Sequence, residues 1–206
     1  MADIPKQIAA RVSRETSARL QTFADELVRW QRALNLVSPA TLPDLWTRHI
    51  DDSLQVAELA PEARTWLDFG SGGGLPGLIV AAIDPERRVY LVESDTRKAA
   101  FLRSTARRMG LERVLVHATR IEKLPPLAAK PDIVSARALA PLTRLLAYAQ
   151  PFLLDGAVAL FPKGRNAAEE LTQARECWNF EADIEQSRTD PDARILRIRD
   201  FAGPRK

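Results

Sequence analysis

Leu20, Phe23, Leu27, Trp30 and Leu34 recur at steps of three and four, which predicts one amphipathic helix early in the chain. Arg19, Asp25, Glu26, Arg29 and Gln31 fall largely off that stripe. Asn35-Leu36-Val37-Ser38-Pro39 breaks the pattern. Thr41-Leu42-Pro43-Asp44 then offers a hydroxyl cap, an early proline and an acid for a second helix, which carries Leu42, Leu45, Trp46, His49, Ile50 and Leu54. From Thr65 the rhythm changes, and short apolar runs alternate with helical stretches. Strands are predicted over 65–69, 88–93, 113–117, 131–136, 157–162, 181–187 and 194–199. Such alternation predicts an α/β protein with a mostly parallel sheet covered by helices on both faces. The last two strands are joined only through Asp190-Pro191-Asp192, too short for a crossover, so one of them must run antiparallel. The expected organisation is a helical extension over residues 1–60 and one compact seven-stranded unit over residues 61–206.

The most distinctive stretch is Asp68-Phe69-Gly70-Ser71-Gly72-Gly73-Gly74-Leu75-Pro76-Gly77. It lies between the first predicted strand and the apolar run Leu78–Ile83, which suits a helix packed on a sheet. Strand, glycine loop and helix bring a backbone close to a nucleotide-like ligand. Two registers compete. Gly72-x-Gly74-x-x-Gly77 matches the dinucleotide fingerprint, whereas Gly70-x-Gly72-x-Gly74 matches the looser pattern of S-adenosylmethionine sites. Charge favours the second. A pyrophosphate wants bare amides at a helix N-terminus, and Asp68 would repel it. The same carboxylate suits the cationic methionine end of S-adenosylmethionine. Glu93, 23 residues after Gly70, ends the second strand where an acid bonds ribose hydroxyls. Six strands running one way with one reversed near the C-terminus is also the methyltransferase variant of the Rossmann-like sheet.

Composition narrows the setting. The chain has 206 residues and a formal net charge of +3, which permits a nucleic-acid partner without requiring one. Its single cysteine, Cys177, excludes an internal disulfide, and two histidines make no metal cluster. No apolar run approaches the about 20 residues of a membrane helix. Residues 1–6 contain no apolar segment of the signal-peptide type. A cytoplasmic protein without metal or membrane is expected.

Other candidates lie at the carboxyl ends of the predicted strands, where ligands of such sheets bind. Thr119–Leu124 should flank an adenine there. Arg137 ends an apolar run, a costly place for a full charge unless an anion meets it. Lys163 ends the fifth strand on the same rim. In the second helix, Arg48 and Asp52 read either as an i,i+4 pair or as working residues, and His49 as a packed imidazole or a site residue. Asn166 with Glu169 resembles a capping box. Arg97, Lys98, Arg103, Arg107 and Arg108 line the helix over 97–109 and serve either as a solvated face or as phosphate contacts.

Together these residues resemble the ribosomal RNA small subunit methyltransferase G family, also called glucose-inhibited division protein B. The likeness covers nearly the whole chain. It rests on Trp30 with Asn35-Leu36, Arg48-His49-x-x-Asp52-Ser53, the loop from Asp68 to Gly77, Phe101-Leu102, Arg120-x-Glu122, Arg137-Ala138 and Lys163-Gly164. The resemblance implies methyl transfer from S-adenosylmethionine to N7 of one guanosine of 16S rRNA near the decoding centre. It puts Gly70, Leu75, Ile121, Glu122 and Arg137 at the cofactor, beside Asp68, Gly72, Gly74 and Glu93 from the loop analysis. Arg48, His49, Arg137 and Lys163 are then the candidates for RNA contact. Guanine N7 is already an unprotonated acceptor, so no catalytic base or nucleophile is expected. A monomer acting on 16S rRNA or the 30S subunit is the expected partnership. A methyltransferase acting on a small molecule or protein is the alternative.

Overall fold

The protein, seen in a computed structural model that describes residues 3–205, follows that element order closely. Met1, Ala2 and Lys206, at the outer ends of the two expected segments, lie outside the described residues. The chain opens with α1 (Lys6–Ala9) and α2 (Arg14–Leu34). Ser13 caps α2 by accepting the Thr16 amide at 3.1 Å, and Asn35 ends it in the left-handed region at φ 46°. The expected single second helix is instead three short pieces: a 3-10 turn over Pro39–Asp44, a π-helical turn over Leu45–Asp51, and α3 (Asp52–Glu58). Thr41 caps nothing. It sits inside the 3-10 turn, and its hydroxyl donates to the Ser38 carbonyl at 3.0 Å.

Then follow β1 (Thr65–Phe69), α4 (Gly77–Ile83), β2 (Arg88–Val92), α5 (Thr96–Arg108), β3 (Val114–His117), β4 (Ile133–Ala136), α6 (Leu142–Leu154), β5 (Val158–Lys163), α7 (Ala167–Cys177), β6 (Trp178–Gln186) and β7 (Arg194–Pro204). The seven strands make one sheet in the order β3-β2-β1-β4-β5-β7-β6. β1 to β5 are parallel, and β7 runs antiparallel to both β5 and β6. The expected mixed α/β sheet with a reversed terminal strand is therefore present. Its strand order switches direction between β1 and β4, which opens a crevice at their carboxyl ends.

Side chains alternate between two cores, as the pleat requires. Trp66, Leu91 and Leu160 face Phe23, Leu27, Leu54, Leu78 and Phe101 from α2 to α5. Leu67, Phe69, Val134 and Phe161 face Leu145, Leu146 and Leu171 from α6 and α7. Each such buried side chain contributes roughly 1.5–3 kcal/mol. The helices before residue 60 thus share a core with one face of the sheet.

Several boundaries moved for local reasons. β4 starts at Ile133, and Asp132 just before it ties this end to β1, its Oδ2 accepting the amides of Arg64 and Thr65 at 2.8 Å each. Asn166 makes no side-chain cap for α7. Cys177 is exposed, whereas Trp178 packs on Phe201 with ring centroids 5.5 Å apart. Among the described residues no helix is long and apolar enough to cross a membrane.

The turn between β6 and β7 clamps the extension. Gln55 donates to the Gln186 carbonyl at 2.7 Å and accepts the Arg188 amide at 2.8 Å. Asp52 Oδ1 accepts from Ser187 at 3.3 Å and Thr189 at 3.2 Å. Arg11 and Arg188 both meet Asp51 and Glu58. Those surface pairs contribute little singly, but Gln55 is buried. Gln55→Ala leaves a carbonyl and an amide without partners and should lower stability by about 2 kcal/mol. Urea denaturation with an unchanged slope and a lower midpoint is the expected result.

Candidate active site

β1 delivers the glycine loop to the crevice. Asp68 lies one residue before the end of β1, on the α4 side of the sheet, and is fully buried. Its Oδ1 accepts the Ser135 hydroxyl at 2.6 Å, and Ser135 in turn accepts the Trp66 indole N–H at 2.8 Å. The Ser71 hydroxyl donates to the Asp68 carbonyl at 3.0 Å. Oδ2 makes no full hydrogen bond, and the Gly77 amide that starts α4 is the donor beside it. A Cβ on Gly77 would collide with Leu91 and come within 2.9 Å of this oxygen, so only glycine lets the helix start above the carboxylate. Burial raises the Asp68 pKa to about 6, and hydrogen bonds from its neighbours oppose that rise only in part.

The loop amides turn inward. Ser71 N–H donates to the Val92 carbonyl at 3.1 Å, Gly74 N–H to the Ser71 carbonyl at 2.6 Å, and Gly72 N–H to Glu93 Oε2 at 2.9 Å. These N–H groups are not free to cradle a pyrophosphate, and the start of α4 is occupied from below by Asp68. The loop is thus built unlike a dinucleotide site. Glu93 also accepts the Asp95 amide at 2.8 Å. Each of its oxygens retains acceptor capacity for a ligand hydroxyl.

Above the loop lies a cleft of about 1030 Å³, at the upper end of the size of small-molecule sites. Of the residues expected at a cofactor, Gly70, Gly72, Leu75, Glu93, Ile121, Glu122 and Arg137 line it. Asp68 and Gly74 do not. Asp68 is sealed beneath the loop, and Gly74 packs against Leu78 and Leu102. Gly70 has φ +61°, and a Cβ there would meet Leu139 at 2.6 Å, so glycine keeps the cleft open at that point. Sequence reasoning missed the wall formed by Asn35-Leu36-Val37, where Leu36 packs against Gly73 of the loop. It also missed Arg144 and Tyr148 on the cleft, and of the basic residues on α5 named as possible phosphate contacts Lys98 lines it. Arg144 lies over the Tyr148 ring at 5.3 Å, an i,i+4 spacing that was visible on the helix.

A second cavity of about 470 Å³ adjoins the first, and both are lined by Thr41, His49 and 137–140. The residues expected at RNA divide here. Arg48, His49, Arg137 and Lys163 all line the second cavity. Lys163, however, has an 8% exposed side chain whose Nζ donates to Glu170 at 2.7 Å and the Ala140 carbonyl at 2.8 Å. Its charge is already neutralised. Arg48 is half exposed and meets Asp190 only at 3.7 Å. Arg137 donates from Nη1 to His49 Nδ1 at 3.1 Å and from Nη2 to the Arg48 carbonyl at 2.8 Å, with Nε 3.4 Å from Asp52 Oδ2. His49 has a pKa lowered to about 4 by burial, then by Arg137 and Arg48, so the ring is neutral at pH 7.

The strand order and the cleft above the glycine loop define the Rossmann-like fold of S-adenosylmethionine-dependent methyltransferases. Solved structures agree at the level of fold. An O-methyltransferase from Bacillus cereus in complex with SAH aligns with TM-score 0.58 at 19% identity, covering 87% of this chain and 91% of that one. M. jannaschii TYW2 in complex with AdoMet aligns with TM-score 0.55 at 16% identity, covering 75% of each chain. The chain belongs to the rRNA small subunit methyltransferase G family, whose model matches residues 16–193. Relatives named ribosomal RNA small subunit methyltransferase G include one from Methylobacterium sp. (strain 4-46), 54% identical over 95% of this chain and 93% of its own. Another, from Cereibacter sphaeroides (strain ATCC 17025 / ATH 2.4.3), is 51% identical over 94% of both.

Burial of Asp68 has a measurable consequence. The folded protein holds the Asp68 proton up to about pH 6, while the unfolded chain releases it near the ordinary aspartate value of 3.8. Native stability therefore falls as pH rises through that window, and above it the ionised group costs about 3 kcal/mol. Asp68→Asn keeps a partner for Ser135 and removes the charge. The stability of Asp68→Asn relative to wild type should rise from pH 4 to pH 7 by up to about 3 kcal/mol. A pH-independent difference would mean that the carboxylate is solvated.

Proposed function

We propose that this chain transfers a methyl group from S-adenosylmethionine to N7 of one guanosine in 16S rRNA near the decoding centre. Membership of the rRNA small subunit methyltransferase G family carries the substrate reading, and the donor set of the large cleft supports the cofactor. Glu93 retains acceptor capacity for a ribose diol. Leu75, Ile121 and Leu36 offer apolar faces for a planar ring, and Glu122 stands beside them. Arg137 has five N–H groups, of which three face His49, Arg48 and Asp52, leaving two for a carboxylate. The extension (residues 1–60) contributes one wall through Asn35–Val37, and the sheet unit (residues 61–206) contributes the loop and the opposite rim.

The bound cofactor supplies an electrophilic methyl on a sulfonium. Guanine N7 carries a free lone pair, so the protein need not remove a proton. The residues between the two cavities fit that requirement. His49 is neutral, and both its ring nitrogens are engaged, with Arg137 and with Thr41 Oγ1 at 2.8 Å. It is not available as a general base. Ala138, Leu139 and Ala140 present an apolar surface to both cavities. A cation stacked on a purine gaining positive charge would oppose the reaction, so an uncharged surface belongs at the ring and cations on its phosphates. The second cavity, with Pro141 and Pro162 beside that wall and half-exposed Arg48 at its edge, suits a nucleotide turned out of its stack. Catalysis is then positional, by alignment in a site shielded from water. In this reading the protein acts as a cytoplasmic monomer on 16S rRNA or the 30S subunit.

Tritiated methyl transfer into 30S subunits, followed by mapping of the labelled base, tests the proposal. Label on a single guanine of 16S rRNA, at N7, is the expected outcome. Label confined to protein or to a small-molecule acceptor would replace the RNA reading with the alternative one.

A further inference from the structure

Three groups from one short segment converge on Arg137: the Arg48 carbonyl, the His49 ring and the Asp52 carboxylate. The segment reaches this arrangement through the π-helical turn Leu45–Asp51 and the first residue of α3. Such turns recur at functional sites. The direction of the hydrogen bonds follows from donor chemistry. A guanidinium only donates, so His49 Nδ1 must accept. The ring proton therefore sits on Nε2, which donates to Thr41 Oγ1 at 2.8 Å. The Thr41 hydroxyl in turn donates to the Ser38 carbonyl at 3.0 Å. A one-way chain thus runs from Arg137 just after β4, through His49, to the strap over residues 35–41, which lines the cleft and packs through Leu36 against Gly73 of the glycine loop. Every member lines the large cleft.

We propose that His49 is a positioning residue for the cofactor: it aims the Arg137 guanidinium at the cofactor carboxylate and ties the strap 35–41 to that same guanidinium. The proposal rests on reading the large cleft as the cofactor site and Arg137 as one of its contacts. It assigns His49 away from RNA contact, because neither ring nitrogen is left to donate to a phosphate. It also makes the extension part of cofactor binding, since Thr41 and Ser38 stand in the extension and Arg137 stands in the sheet unit.

Calorimetric titration of the full chain with S-adenosylhomocysteine tests it, using four variants and a parallel denaturation curve for each. His49→Ala should bind about tenfold more weakly, the loss of one positioning hydrogen bond. His49→Asn places an acceptor where Nδ1 stands and should recover binding to within about threefold of wild type. His49→Gln places its polar group where Nε2 stands, leaves Arg137 without its acceptor, and should stay as weak as His49→Ala. The methyl-transfer rate of His49→Ala at saturating cofactor should remain within about threefold of wild type, because the residue acts on binding and not on the transfer step. If His49→Ala fails to fold, the Asn and Gln pair still decides. Equal binding by those two overturns the proposal. So does wild-type binding by His49→Ala while Arg137→Ala loses affinity, an outcome that leaves the cofactor reading standing. Wild-type binding by Arg137→Ala overturns the cofactor reading itself, and the proposal with it.

Discussion

A carboxylate removed from water holds the glycine loop in shape. Asp68 joins the Ser135 hydroxyl of β4 to the underside of the loop, and its second oxygen faces the amide at which α4 begins. Three elements are fixed at one point: the end of β1, the middle of β4 and the start of α4. Burial opposes its ionisation, so the same residue that orders the loop also limits the stability of the protein at neutral pH. Above the loop, Glu93 holds the Gly72 amide from the cleft side. The loop is thus pinned from beneath by one acid and from the front by another. Its inner amides are consumed in that pinning, which leaves a surface suited to an adenosyl group and unsuited to a pyrophosphate.

Arg137 is the second junction. It links the end of β4 to the π-helical turn of the extension, while Asp52 beside it receives the Ser187 and Thr189 hydroxyls from the terminal hairpin. The first and last parts of the chain therefore meet at the partition between the two cavities. An enzyme that relies on alignment needs a rigid partition there. The reversal of β7 returns the chain from β6 to the sheet beside β5, and the preceding turn falls against the extension.

Much of this was legible in the sequence because the relevant forces are local. Apolar alternation located the seven strands, the short Asp190–Asp192 connection required a reversed strand, and the glycine spacing located the cleft. The burial of Asp68 beneath the loop, away from the cleft lining, also had a signal in the sequence. Strand alternation puts Leu67 and Phe69 on the α6 side, so Asp68 points to the opposite side, beneath the helix that follows the loop. Lys163 was expected at RNA, and its pairing with Glu170 was hidden because strand, turn and helix bring together residues with no recognisable local spacing. The π-helical winding of Leu45–Asp51 carries no pattern distinct from an α-helix at that length, so the convergence on Arg137 was out of reach. The strap Asn35–Val37 looked like a helix break, which it is; its second role as a cleft wall depends on how the extension packs.

The central claim is that Asp68 serves the site through the loop and not by contact with the ligand's charge. It is tested by measuring the affinities of wild type and Asp68→Asn for S-adenosylmethionine and for S-adenosylhomocysteine, which lacks the sulfonium charge. The account predicts that the substitution changes both affinities by the same factor, to within about threefold. A loss for S-adenosylmethionine more than about tenfold greater than for S-adenosylhomocysteine would contradict it, and would make Asp68 the counter-charge of the sulfonium.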